Sequence, residues 1–266
     1  MLSKSQVIVL HTIKYGDNGI VLQCYSNTCG RQALFLRVSA KNKIIISNLH
    51  RLSILDVVTY HSGSSMPTVK ELEPVMRLDS IRKNIYKNTI AIFLSELLVK
   101  CIKESESNLQ LYQFLVSSIS ILEHLEGAFA NFHIHFLVHL SKMLGFMPVD
   151  NFSATNTLFD IQSARFIAPA AAYSTGGYAG PAAGSAYSSY AGPVAGPAAV
   201  PAGCFSPVES ELLHAILNTP AIESSVIRCN GELRLSFSKQ MIRYLSAHLG
   251  INFDMKSLDV LHEVFN

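Results

Sequence analysis

The chain has 266 residues, 49% of them hydrophobic, and a mean hydropathy of +0.28, enough apolar matter for one large core or two modest ones and too much for a disordered chain. No apolar run reaches the ~20 residues that a bilayer span requires, and the amino terminus has no basic-then-apolar leader, so a cytoplasmic protein is expected, with no membrane partner. The net charge of +2 hides a division: residues 1–90 carry 12 Lys/Arg against 5 Asp/Glu, and the remainder carries 9 against 14. That asymmetry points to a polyanion meeting the first part of the chain, against the plainer alternative of a solvated basic face.

From Gln6 to Tyr60 the sequence reads as β structure. Val7–Leu10 with Ile13, Ile20–Leu22 leading to Cys24 and Tyr25, and Ala33–Leu36 with Val38 are short apolar strands. Tyr15-Gly16-Asp17-Asn18-Gly19 and Ser26-Asn27-Thr28-Cys29-Gly30 supply turns that tolerate positive φ, so strands one to three form a meander. Leu52–Tyr60 and Thr68–Leu72 add two more strands, punctuated by Gly63 and Pro67. Five short strands fit a small closed barrel, of OB or SH3-like kind, in a domain over residues 1–75.

After Glu73-Pro74 the period becomes helical, and residues 76–266 read as a mostly α-helical domain. One helix, capped by Asp79 or Ser80, carries Ile81, Ile85, Ile92, Leu94, Leu97 and Leu98 and ends near Lys103. A second spans Leu109–Leu125, and a third Phe129–Leu144, closed by Gly145 and Pro148. Helices at 206–217, near Glu223, at 236–249 before Gly250, and over Lys256–Phe265 complete a bundle. Between Ala168 and Gly203 no residue is charged, and Tyr-Ala-Gly-Pro occurs at both 178–181 and 190–193. Such an insert buries too little apolar surface to offset its ordering entropy, so an exposed loop of low order is expected there.

Several chemistries find no support. The five cysteines, at 24, 29, 101, 204 and 229, form no Cys-x-x-Cys pair, which leaves reduced thiols rather than a disulfide framework or a zinc finger. His135 and His139 share a helical face, but His133 lies off it and no third ligand follows, so structural roles are expected. Gly16, Gly19 and Gly30 are turn glycines without a phosphate-loop context, and Asp17, Asp56, Glu71 and Glu73 form no paired-carboxylate site. No catalysis, cofactor or small-molecule substrate is expected.

Six weak motifs, in order along nearly the whole chain, resemble the RecO family of recombination mediators. Val9–Asn18 looks like the family's opening strand and turn, Cys24–Arg31 like its next strand and Gly-Arg turn, and Val38-Ser39-Ala40-Lys41-Asn42-Lys43 like its basic loop. Ile92–Lys100 with Glu96-Leu97, and Phe132–Leu140 followed by Leu144-Gly145-Phe146-Met147-Pro148, resemble its helical segments. Gln240–Gly250 with Lys256-Ser257 is similar to its closing helix. The resemblance implies an α+β protein with an N-terminal five-stranded OB-fold β-barrel followed by a helical bundle. It also implies a nucleoid-associated, non-enzymatic protein that binds single-stranded and duplex DNA and anneals complementary strands. The implied partners are RecR, single-strand-binding protein and, indirectly, RecA. Many relatives carry a four-cysteine zinc site after the Gly-aromatic-x-Pro segment, but no cysteine lies between Pro148 and Gly203 here, so no metal is expected.

DNA binding by such a barrel needs cations for the phosphates and π faces for the bases. Lys14, Arg31, Arg37, Lys41, Lys43 and Arg51 are the candidate phosphate contacts. Tyr15 and Tyr25 are candidate stacking platforms, each weighed against ordinary barrel packing. The resemblance places a groove for the acidic, apolar tail of single-strand-binding protein on the third helix, lined by Phe132, His135, Phe136 and Leu140. Ordinary bundle core is the alternative for each. A protein–protein adaptor using the barrel remains a rival reading.

Overall fold

The computed structural model describes residues 1–39, 42–43, 46, 49–63, 66–127, 129–169, 200–201 and 203–265. Strands β1 (Leu2–Tyr15), β2 (Gly19–Ser26), β3 (Gly30–Arg37), β4 (Ile54–Tyr60) and β5 (Thr68–Pro74) close into a barrel in the order β1-β2-β3-β5-β4. All neighbours run antiparallel except β3 and β5, which meet in parallel through Phe35–Thr68 and Leu36–Val69. That topology is the OB-fold, so it decides between the two barrels that strand counting allows. Closure requires β1 to serve two neighbours: Leu2–Ile8 pairs with β4 and Val7–Tyr15 with β2. A bulge between Val9 and His11 bends the strand from one partner to the other.

Alternation along the strands sorts the side chains. Val7, Val9, Leu22, Cys24, Leu34, Leu36, Leu55, Val57, Val69 and Leu72 point inward and fill the barrel. On the outer wall, Ile8, Leu10, Tyr25 and Ile54, with Leu52 just ahead of β4, are buried in the core that the helices form. One side of the barrel is therefore a wall of the larger core, and the opposite side is left to solvent.

The helices are α1 (Asp79–Lys83), α2 (Ile85–Cys101), α3 (Leu109–His124), α4 (Phe132–Met143), α5 (Pro207–Leu217), α6 (Gly231–Leu249) and α7 (Lys256–Phe265). The single helix expected from residue 79 is two, broken at Asn84. Its extended backbone ends α1, and its side chain accepts from the backbone N–H groups of Tyr86 and Lys87 to start α2. Lys87 locks the break by donating to Ser80 Oγ at 2.7 Å and to the Glu123 carbonyl at 2.8 Å. The Glu123 carboxylate in turn accepts from the backbone N–H groups of Ser80 and Ile81 at the start of α1.

Helix α6 starts five residues ahead of the expected 236 because Asn230 caps it through Leu233, and it ends at Gly250 in the left-handed region as expected. Helix α5 starts with a capping box between Ser206 and Glu209. Most of the insert expected at 168–203 lies outside the described residues. Its flanks meet at a hairpin of β6 (Leu158–Asp160) and β7 (Arg165–Ile167), where Ile161 N–H donates to the Gly203 carbonyl and Phe205 N–H to that of Phe159. No helix among the described residues is long and apolar enough to cross a membrane.

Candidate nucleic-acid interface

The free side of the barrel is the outer face of β1–β3. Across it the pairing runs Ile13–Val21–Phe35 and Tyr15–Gly19–Arg37, and these rows face outward because Leu22, Leu34 and Leu36 face in. Tyr15 is 67% exposed and meets Phe35 edge to face, with centroids 6.0 Å apart at 84°. Gly19 makes room for this pair: a Cβ there would lie 2.7 Å from Phe35 Cε2 and 2.5 Å from the Tyr15 carbonyl oxygen. Arg37, exposed, follows Phe35 on the same face, whereas Lys14, also exposed, pairs with Ile20 and so lies on the opposite pleat of β1 from Ile13 and Tyr15. An aromatic edge beside a guanidinium group suits a strand whose bases stack and whose phosphates need neutralising. An OB barrel presents this face, with its β1–β2 and β4–β5 loops, to oligonucleotides.

The other expected cations are placed differently. Lys43 is exposed in the loop after β3, which Asn42 folds back by accepting from Ser39 N–H and donating to the Arg37 carbonyl. Lys41 lies outside the described residues. Arg31 turns inward instead: Nη1 donates to the Val99 and Ile102 carbonyls, at 2.5 and 2.7 Å, at the end of α2, and its backbone N–H donates to the Glu104 carbonyl. It is therefore a strut between barrel and bundle, stabilised by the negative end of the helix, and not a phosphate contact. The half-buried Arg51 lies against α1 and α2 at the junction.

The cationic surplus of the first ninety residues does not gather on one surface. Arg37 lies on the free face, Lys14 and Lys43 are exposed elsewhere on the barrel, Arg51, Arg77 and Arg82 line the junction, and Arg31 and Lys87 are built into the structure. Lys4 stands across β4 from the free face, lining a polar hollow with Asp56, Glu71 and Glu73.

Of the two candidate platforms only Tyr15 is available. Tyr25 is 1% exposed, stacks on Tyr112 and donates to the Asn108 carbonyl, while burial pushes its phenol pKa up. Phe35 is a candidate platform that sequence reasoning missed. Its signal was the alternation Ala33-Leu34-Phe35-Leu36-Arg37, which turns Phe35 and Arg37 outward once Leu34 and Leu36 are assigned inward.

The groove expected on α4 is corrected. Phe132, His135, Phe136 and Leu140 are 2%, 0%, 4% and 0% exposed, because α4 runs through the middle of the bundle and is packed by α3, α5, α6 and α2. They are core. His133 packs against Phe93 and Phe265, and His135 stacks with His139. Burial drives the pKa of His133 down to about 3 and that of His135 to about 4, so both are neutral imidazoles. Among the described residues no three His, Cys, Asp or Glu side chains are gathered as metal ligands.

Comparison with known proteins follows the same two halves. Residues 1–77 match the family profile described as "Recombination protein O N terminal", and residues 82–259 match "Recombination protein O C terminal". The DNA repair protein RecO of Bacteroides fragilis is 32% identical over 170 residues, 62% of this chain and 70% of its own length. That of Porphyromonas gingivalis is 31% identical over 185 residues, covering 66% and 75% respectively. That of Flavobacterium psychrophilum is 26% identical over 270 residues that span 100% of both chains. With both halves matched in order and an OB barrel leading a helical bundle, the chain belongs to the RecO family of DNA repair proteins.

Proposed function

We propose that this protein is a recombination mediator without catalytic activity, whose barrel (residues 1–75) holds single-stranded DNA and whose helical part (residues 76–266) serves partner proteins. The observation that carries this reading is the exposed Tyr15 set edge to face on the half-buried Phe35, with Arg37 beside them, on the outer β1–β3 face of an OB barrel, and the exposed Lys14 next to Tyr15 on the opposite pleat. Neutralising phosphates on that face lowers the repulsion between two strands that must pair, so annealing needs no nucleotide hydrolysis. Duplex DNA, which offers the same phosphates without free bases, binds the same cations more weakly. Family membership supports the setting: action with RecR and single-strand-binding protein to help load RecA at a nucleoid-associated site in the cytoplasm. No partner groove is assigned on α4, whose candidate residues are core.

The test is fluorescence anisotropy with labelled oligo-dT. The wild type should bind with a steep salt dependence. The Lys14→Glu/Arg37→Glu variant should lose about 1.4 units of log-log salt slope, at about 0.7 per phosphate contact, with its thermal transition unchanged. A barrel that serves only as a protein adaptor would give neither binding nor slope, and the reading would fall. Annealing of complementary oligonucleotides, with and without single-strand-binding protein, reports on the mediator role.

A further inference from the structure

The barrel has a second outward sheet face. Its pairing runs in three rows across β1, β4 and β5: Gln6–Asp56–Glu73, Lys4–Val58–Glu71 and Leu2–Tyr60–Thr68. These rows face outward because Leu55, Val57 and Leu72, which alternate with them, fill the barrel. At one end the face repeats the chemistry of the Tyr15 platform. Tyr60 is 42% exposed, Lys70 Nζ stands 5.4 Å from its ring centroid, and Leu2 and Lys4 are exposed beside it. A ring among ammonium groups suits a nucleic-acid strand without regard to sequence.

The two faces differ in acid. Asp56, Glu71 and Glu73 are exposed and line a hollow of ≈ 570 Å³ with Lys4, whereas the rows Ile13–Val21–Phe35 and Tyr15–Gly19–Arg37 contain no carboxylate. Stability does not call for these acids. Asp56 and Glu73 stand directly opposite each other across β4 and β5, where like charges repel. Gln6 relieves Asp56 in part: its Nε2 donates to Asp56 Oδ1 at 2.9 Å, and its Oε1 accepts from Tyr112 Oη at 2.9 Å. The Glu71 and Glu73 side chains make no hydrogen bond or ion pair among the described residues. Their charge therefore acts on whatever approaches the face.

Resting on the reading of the Tyr15 face as the DNA platform, we propose that Asp56, Glu71 and Glu73 are specificity determinants that keep nucleic acid off the Tyr60 face. A phosphate about 6 Å from one carboxylate in water loses a factor of about three in affinity, and three such carboxylates together a factor of about thirty. The barrel then carries a strand on one side only. A complementary strand must arrive on that same side, where the two can pair, and is not held out of reach across the barrel.

The test is a gain of binding. Oligo-dT of about 8 nucleotides, short enough for one platform, is titrated at low salt, with the stoichiometry read by analytical ultracentrifugation. The Glu71→Gln/Glu73→Gln variant should bind one more oligonucleotide than the wild type, about tenfold more tightly than the wild type's Tyr60 face can. Its thermal transition should stay or rise, because a cross-strand repulsion is gone. Adding Tyr60→Ala should remove the extra oligonucleotide and leave the wild-type binding. Glu71→Gln alone should give about a threefold gain and keeps the test sound if the double variant melts early. Asp259→Asn/Glu263→Gln, exposed on α7, makes the same change in net charge far along the chain and should gain nothing.

Wild-type stoichiometry in the Glu71→Gln/Glu73→Gln variant overturns the proposal while leaving the Tyr15 face standing. A gain shared by the α7 control makes the effect one of net charge and overturns it too. So does an extra oligonucleotide that survives Tyr60→Ala, since it then sits elsewhere. Failure of the wild type to bind oligo-dT at all overturns the reading of the Tyr15 face and this proposal with it.

Discussion

Arg31→Met separates a structural cation from a DNA-binding one. Methionine keeps the apolar stem and removes the guanidinium, so the Val99 and Ile102 carbonyls at the end of α2 lose their shared donor. Hydrogen bonds to a charged donor contribute about 1.5–3 kcal/mol each when buried; Arg31 is half-buried, so the lower figure applies, about 3 kcal/mol for the two. For a chain of this size that lowers Tm by about 6–12 °C. Differential scanning calorimetry reads the shift, and oligo-dT anisotropy well below both transitions reads the affinity, which should change less than about twofold because the group does not face the strand. An unchanged Tm with an affinity loss of about tenfold or more would refute the assignment and return Arg31 to the phosphate contacts.

Gly30→Ala should cost more than about 2 kcal/mol in urea unfolding. The residue sits at φ +61°, and its new Cβ would lie 2.2 Å from the Glu106 carbonyl oxygen, pushing the 104–106 segment off the barrel; wild-type stability would show that this segment moves freely. Tyr15→Ala should weaken oligo-dT binding about tenfold with little effect on stability, since base stacking contributes about 1–3 kcal/mol and the ring is exposed; an unaltered affinity would remove it from the interface. Acid should destabilise the bundle. His133 and His135 have folded pKa values of about 3 and about 4, below the unfolded value of 6.5, so the stability they confer is complete above pH 6.5 and falls as pH drops toward those values. His135→Leu should make the acid limb of a urea-midpoint profile shallower by about one proton, or about 1.4 kcal/mol per pH unit. An unchanged limb would mean that His135 is already charged or solvated in the folded state.

The barrel was legible because its strands alternate and its turns carry the residues that positive φ requires: Gly16 and Gly30 both lie in the left-handed region. The OB topology was not, since the parallel β3–β5 contact is set by closure between residues over thirty positions apart. The break at Asn84 escaped the periodicity because one side chain both ends α1 and starts α2 without disturbing the apolar spacing. Charge counting located the basic half but could not distribute it. Arg31 and Lys87 resemble the other cations in sequence and differ only in the carbonyls that folding brings to them. The groove on α4 rested on the family resemblance, whereas the residue pattern, apolar on more than one side, is the mark of a helix surrounded by others.

The barrel's shared wall has a mechanical consequence. Ile8, Leu10, Tyr25, Leu52 and Ile54 belong to the same core as the helices, and Ser95 Oγ reaches across to the Leu10 carbonyl. A fragment cut after the fifth strand would expose that apolar wall and tend to stick to itself. Because the described residues place barrel and helices around one core, a partner on the helices would, under the proposed function, hold the strand by a rigid handle. Turning the one reorients the other.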